Sequence, residues 1–124
     1  MLQASEVIAF VGSADLPQAR AFYEQVLDLR ITDQNDFACV FDANGTMLRV
    51  TAVGEVARPG YTVLGWRVAD IAATVRGLTA RGVAFLHYDG MDQDESGVWT
   101  TPAGDKVAWF ADPDGNVLSL TQFA

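Results

Sequence analysis

The chain repeats itself. The interval that separates Asp15-Leu16 from Asp70-Ile71 also carries the apolar run Val7–Val11 onto Thr62–Trp66. A repeat on this scale means two copies of one supersecondary unit, each too small to bury its own apolar surface. Each copy reads as a strand, a helix and then two or three strands. A sheet covered by a helix on one face has to bury its other face too. Setting two such sheets face to face across a pseudo-two-fold axis does so and encloses a cleft. The expected fold is therefore α+β, two βαβββ modules with mixed sheet lining a cleft and helices outside. The half-modules span about 1–54 and 61–124 of a single domain, joined by a linker over 53–60 that holds Gly54, Pro59 and Gly60.

Local signals fill in each half. Val7–Val11 is an apolar run ended by Gly12-Ser13, and Asp15 is placed to cap a helix that tolerates Pro17 in its first turn. Leu16, Ala19, Phe22, Tyr23, Val26 and Leu27 form one apolar stripe, and the helix is expected to stop near Asp28. Arg30–Thr32 and Phe37–Phe41 read as extended chain, Asn44-Gly45 as a two-residue hairpin turn, and Thr46–Thr51 as an alternating strand. In the second half Tyr61–Val68 is a strand, Asp70 a helix cap and Gly82 the left-handed helix terminator. Strands are expected at Val83–Leu86, Gly97–Thr101, Val107–Phe110 and Val117–Gln122, with Asp112–Asn116 as the turn between the last two.

Composition narrows the partners. Half of the 124 residues are hydrophobic and 19% are charged, which suits a globular domain and not a disordered one. Eight Lys and Arg stand against sixteen Asp and Glu, a net charge of −8 that repels nucleic acid and anionic membrane. No apolar run is long enough to span a bilayer, and Met1–Glu6 lacks the basic start and apolar stretch of a signal peptide. With one cysteine, Cys39, no internal disulfide can form, so a cytoplasmic setting is expected.

Three stretches carry a family resemblance. Ala14-Asp15-Leu16 with Ala19–Leu27, Val68–Ile71 with Leu78 and Arg81–Val83, and Trp109–Asn116 occur in order across nearly the whole chain. Together they resemble the glyoxalase/bleomycin-resistance/dioxygenase superfamily, whose fold is called vicinal oxygen chelate. The usual L-G-L at the first helix end is Leu27-Asp28-Leu29 here, which implies local strain. The resemblance also implies that divalent-metal ligands would fall at Ile8, Val63, Arg49 or Thr51, and Ser119. Ile, Val and Arg cannot ligate such an ion and Ser is a poor ligand, so no metal and no cofactor are expected.

If those positions mark the cleft-facing parity of each strand, the cleft is lined by Ile8, Phe10, Met47, Arg49, Thr51, Val63, Gly65, Ser119 and Thr121. Arg49 reads either as a fork for a ligand carboxylate or as a sheet arginine paired with Asp42 or another local acid. Trp99 and Trp109 read as stacking walls for a ligand or as core or interface material, and Trp66, of opposite parity, as packing beneath a helix. His87 and Tyr88 are the acid–base candidates, in a polar tract that reads otherwise as a mobile loop over the cleft, while Cys39 reads as an inert buried thiol. The resulting expectation is a metal-independent protein that binds a small molecule, similar to the bleomycin-resistance proteins and homodimeric like many relatives. The alternatives are a metal-independent lyase or isomerase, in which Arg49 holds an anion and His87 or Tyr88 moves a proton, and a structural or regulatory module whose cleft is filled by its own side chains.

Overall fold

The computed structural model describes all 124 residues, which divide into two compact units, Met1–Ala57 and Arg58–Ala124. No helix is long and apolar enough to cross a membrane. In the first unit β1 (Ile8–Ser13) leads into α1 (Leu16–Ala21) and a π-helical turn over Phe22–Val26, followed by β2 (Arg30–Gln34), β3 (Ala38–Ala43) and β4 (Thr46–Ala52). The strands form a sheet ordered β1-β4-β3-β2, with β1 parallel to β4 and the rest antiparallel. The second unit repeats the plan with β5 (Thr62–Arg67), α2 (Ile71–Ala80), β6 (Trp99–Thr100), β7 (Lys106–Ala111) and β8 (Val117–Gln122), ordered β5-β8-β7-β6. This is the α+β, twice-βαβββ architecture that the repeat implies.

Both helices begin as their caps dictate. The Asp15 carboxylate accepts from the Gln18 N–H and the Asp70 carboxylate from the Ala73 N–H, each at 3.1 Å, satisfying one of the free donors of the first turn. The hairpin turn takes positive φ at both Asn44 and Gly45, and Gly82 is left-handed at the end of α2. Alternation then sorts the strands into two faces. In the first unit Val11, Ser13, Leu48 and Val50 are buried with Ala19 and Tyr23, and the Tyr23 ring lies 5.9 Å from that of Phe41. The second core gathers Ile71, Val75, Leu118, Leu120 and Phe110, whose ring has Trp66 at 6.5 Å and Phe85 at 5.4 Å. Trp66 is thus on the core face, as its parity implies.

Three local expectations need correcting. The first helix does not run on as one α-helical stripe to Asp28: the Leu27 N–H donates to the Phe22 carbonyl, five residues back, and the wider turn leaves only Ala19 and Tyr23 of the stripe fully buried. Val83–Leu86 is not a strand. Only Phe85 bridges, to Phe110; the Leu86 N–H donates to the Trp109 carbonyl at 2.8 Å, while the Leu86 carbonyl accepts from the Gln93 side chain at 2.9 Å. Gly97–Thr101 shortens to the two residues of β6.

Asp28 carries the strain expected of it, with φ +63°. A β-branched side chain resists that conformation more than aspartate does, so Asp28→Val should lower unfolding free energy by about 2 kcal/mol. Chemical denaturation checks this, and an unchanged midpoint would mean that the backbone relaxes at no cost.

Candidate functional site

In the first unit the residues expected to line a cleft do share one face. Ile8 stands opposite Met47, Phe10 opposite Arg49, and Gly12 opposite Thr51. Ile8, Phe10 and Met47 are 47%, 61% and 43% exposed, large apolar groups on the face that the helix does not cover. Arg49 sits half-buried among them. Of its two readings the local pairing is not what forms: Asp42 lies opposite Met47 and Arg30, and its carboxylate takes the Arg30 guanidinium at 3.0 Å. Hydrogen bonds from the Gly45 N–H and from Arg30 hold the Asp42 carboxyl below the usual carboxylate range. The Arg49 guanidinium makes no ion pair or hydrogen bond. A cavity of about 340 Å³ opens on this unit, lined in part by Glu6, Ile8, Arg30, Thr32, Asp42 and Met47.

The second unit offers a matching face. Gly65 lies beside Ser119, Ser119 opposite Trp109, Thr121 opposite Val107, and Val107 opposite Trp99. Val63 shares this parity and is 37% exposed. The Trp99 and Trp109 rings lie 6.3 Å apart, and Tyr88 meets Trp109 edge-on at 5.5 Å. Ser119 is buried beside the bare backbone of Gly65: a Cβ on Gly65 would come within 2.9 Å of the Ser119 Oγ. That hydroxyl has no hydrogen-bond partner in the protein.

His87 and Tyr88 part company. Tyr88 joins the tryptophans, whereas His87 lies in a groove beside α2 with Arg76 and Glu95. No carboxylate hydrogen-bonds to His87 to orient it as a base. Cys39 is fully buried, and burial pushes its thiol above the ordinary value, which suits an inert side chain.

The polar tract after Tyr88 is pinned, not loose. Gln93 accepts from the Tyr88 N–H at 2.7 Å and donates to the carbonyls of Leu86 and Gly97 at 2.9 and 2.8 Å. Asp94 accepts from the Ser96 N–H, the Ser96 hydroxyl and the Val98 N–H. Burial alone would raise the Asp94 carboxyl, but these donors outweigh it and hold it below the usual range. The role of Gln93 was not legible in the sequence, because a glutamine gives no signal of what its amide will reach. Arg30 was equally hidden, since its place beside Asp42 depends on the register of β2.

The sequence model of the Glyoxalase/Bleomycin resistance protein/Dioxygenase superfamily matches residues 7–120. No curated protein sequence matches the chain. Among solved structures it is similar to a bleomycin resistance determinant encoded on the transposon Tn5, with 21% identity, 97% of this chain and 98% of that one covered, and a TM-score of 0.73. It is also similar to a lactoylglutathione lyase from Agrobacterium tumefaciens, at 17% identity, 95% and 93% coverage and TM-score 0.73. A superfamily member from Sphaerobacter thermophilus matches at 22% identity, 98% and 99% coverage and TM-score 0.70. These likenesses speak to the fold.

Proposed function

Because the chain belongs to the Glyoxalase/Bleomycin resistance protein/Dioxygenase superfamily, we propose that it is a metal-independent member that binds a small molecule carrying a carboxylate or similar anion, with Arg49 as the anion's fork. The donor set does not fit a divalent cation. The positions to which the resemblance assigns metal ligands carry Ile8, Val63, Arg49 or Thr51, and Ser119, and no three His, Cys, Asp or Glu side chains gather anywhere in the chain to hold an ion.

The observation that carries the reading is the unpaired, half-buried Arg49 on a face that also carries the exposed apolar side chains of Ile8, Phe10 and Met47. A guanidinium partly withdrawn from water gains from a planar anion that takes two of its N–H groups at once. Apolar neighbours such as Ile8, Phe10 and Met47 supply contact area for the rest of the ligand. The same exposed side chains, with Val63, support a homodimer that covers them, which sedimentation would reveal. Trp99, Trp109 and Tyr88 supply flat surface, and Ser119 and Thr121 hydroxyls, on the second unit. A cytoplasmic setting suits the single reduced thiol of Cys39. The reading of a face filled by its own side chains is disfavoured by the exposure of Phe10 and Met47.

The test is a panel of small carboxylates, each paired with its primary amide, titrated against the protein and Arg49→Met. Hydrogen bonds to a charged group contribute about 1.5–3 kcal/mol, so carboxylates should bind more than about tenfold tighter than amides, and the substitution should erase the difference. Equal binding of acid and amide, or an unchanged preference in Arg49→Met, would sink the assignment. An ion retained one per chain after desalting from divalent metals would overturn the metal-independent part.

A further inference from the structure

A groove in the second unit lies on the helix side of its sheet, away from the face that carries Ser119. It encloses about 620 Å³ between α2 and the segment after Val83. Its floor is apolar: Val75 and Val83 are 2% and 7% exposed, and Phe85 lies half-buried beside them. One wall is the helix, with Arg76 at its lip. The other is the pinned tract, with His87 and Glu95 at its lip.

The groove is formed in advance. Gln93 ties the tract at three points and Asp94 at three more, so its walls do not need a ligand to order them. Gly97 turns the chain at φ +95°, and a Cβ there would come within 3.2 Å of the Phe85 Cβ and 3.6 Å of the His87 Nε2. Gly97 therefore packs close to both Phe85 and the His87 imidazole, where a side chain would crowd the groove.

Arg76 and Glu95 face the same apolar strip from opposite walls, both exposed, and neither has an ion-pair or hydrogen-bond partner in the protein. They form no ion pair with each other. A ligand that fits must therefore carry both signs, separated by an apolar body. An anion alone would meet Glu95 and a cation alone would meet Arg76. We infer that this groove binds a small zwitterion with an apolar body, its carboxylate at Arg76 and its ammonium at Glu95. A free apolar amino acid and a short apolar peptide share this chemistry. The inference stands apart from the anion site at Arg49, which lies in the other unit.

The experiment uses the full chain and four probes: L-leucine, leucyl-leucine, N-acetyl-leucyl-leucine and leucyl-leucinamide. Backbone amide shifts are followed during titration. Saturable shifts should fall on Arg76, Thr79, Val83, Phe85 and Glu95. An exposed ion pair contributes up to about 1 kcal/mol, so blocking either terminus should weaken binding by up to about fivefold. Glu95→Gln should remove the penalty for the acetylated peptide alone, and Arg76→Gln the penalty for the amide alone. Both positions are exposed, and an undisturbed remainder of the spectrum checks that each variant is folded. Tighter binding of leucine than of leucyl-leucine identifies the free amino acid as the ligand source, and the reverse order a peptide. Blocked peptides that bind as well as the free one, shifts that fall on the Ser119 face, or no saturable shift at millimolar probe would overturn the inference. Loss of the carboxylate preference at Arg49 would leave it standing.

Discussion

Asp112→Ala should cost about 3 kcal/mol of unfolding free energy, read as a lower denaturation midpoint at unchanged slope. The carboxylate is only 5% exposed and sits at the centre of the turn between β7 and β8. Its Oδ1 accepts from the N–H groups of Asp114 and Asn116 at 3.0 and 2.9 Å, and its Oδ2 accepts from the Asn116 side-chain amide at 2.8 Å. Alanine strands three buried donors at once, each costing about 1–3 kcal/mol unless water reaches it. Asp112→Asn separates charge from shape. It keeps an oxygen for the two backbone donors and loses the contact with the Asn116 amide, so it should cost about 1 kcal/mol. If alanine and asparagine prove equally mild, the turn is held by its backbone and the carboxylate is incidental.

Gln93→Ala should remove about 2–3 kcal/mol, because one side chain satisfies the Tyr88 N–H and two carbonyls that have left the strand ladder. The loss should also be local. The Tyr88 amide should exchange with solvent far faster in the variant, while amides of β7 and β8 keep their relative protection. Gln93→Glu should not rescue it, since a carboxylate can accept from Tyr88 but turns lone pairs toward the carbonyls of Leu86 and Gly97. Unchanged exchange at Tyr88 in Gln93→Ala would show that the tract holds its shape without the amide.

What the sequence made legible was governed by short-range physics. Asp15 and Asp70 announce their helices because a cap needs only an oxygen and the N–H three residues on. Asn44-Gly45 announces its hairpin because few residues accept positive φ in succession. The repeat then supplied the architecture. Where a long-range partner decides, sequence reasoning stopped. Val83–Leu86 has the composition of a strand, yet it makes one bridge, and its Leu86 carbonyl meets the distant Gln93 side chain. The apolar stripe of the first helix assumes 3.6 residues per turn, and the π-helical turn at Phe22–Val26 breaks that count.

The site followed the same division. Strand parity placed Ile8, Phe10, Met47, Arg49 and Thr51 on one face, since alternation is a local property. It could not say whether Arg49 meets an acid. That depends on register, which sets Val40 opposite Arg49 and gives Asp42 to Arg30. The groove at Arg76 and Glu95 had no signal at all, since nothing in the intervening chain says that a helix and a polar tract will share a floor.

The linker holds one residue that belongs to neither a strand nor a hinge. Arg58, itself at φ +50°, donates from its Nε to the Asp114 carbonyl at 2.8 Å and lies across Gly115, where a Cβ would come within 2.9 Å of it. This decides where a gene for the chain can be cut. Divided between the codons for Ala57 and Arg58, it yields a downstream fragment that brings its own clamp for the 112–116 turn. Cut after Pro59, it hands that clamp to the upstream fragment, which has nothing for it to hold. Any effort to express the halves apart, or to shuffle them with halves of other chains, should therefore count Arg58 as the first residue of the second.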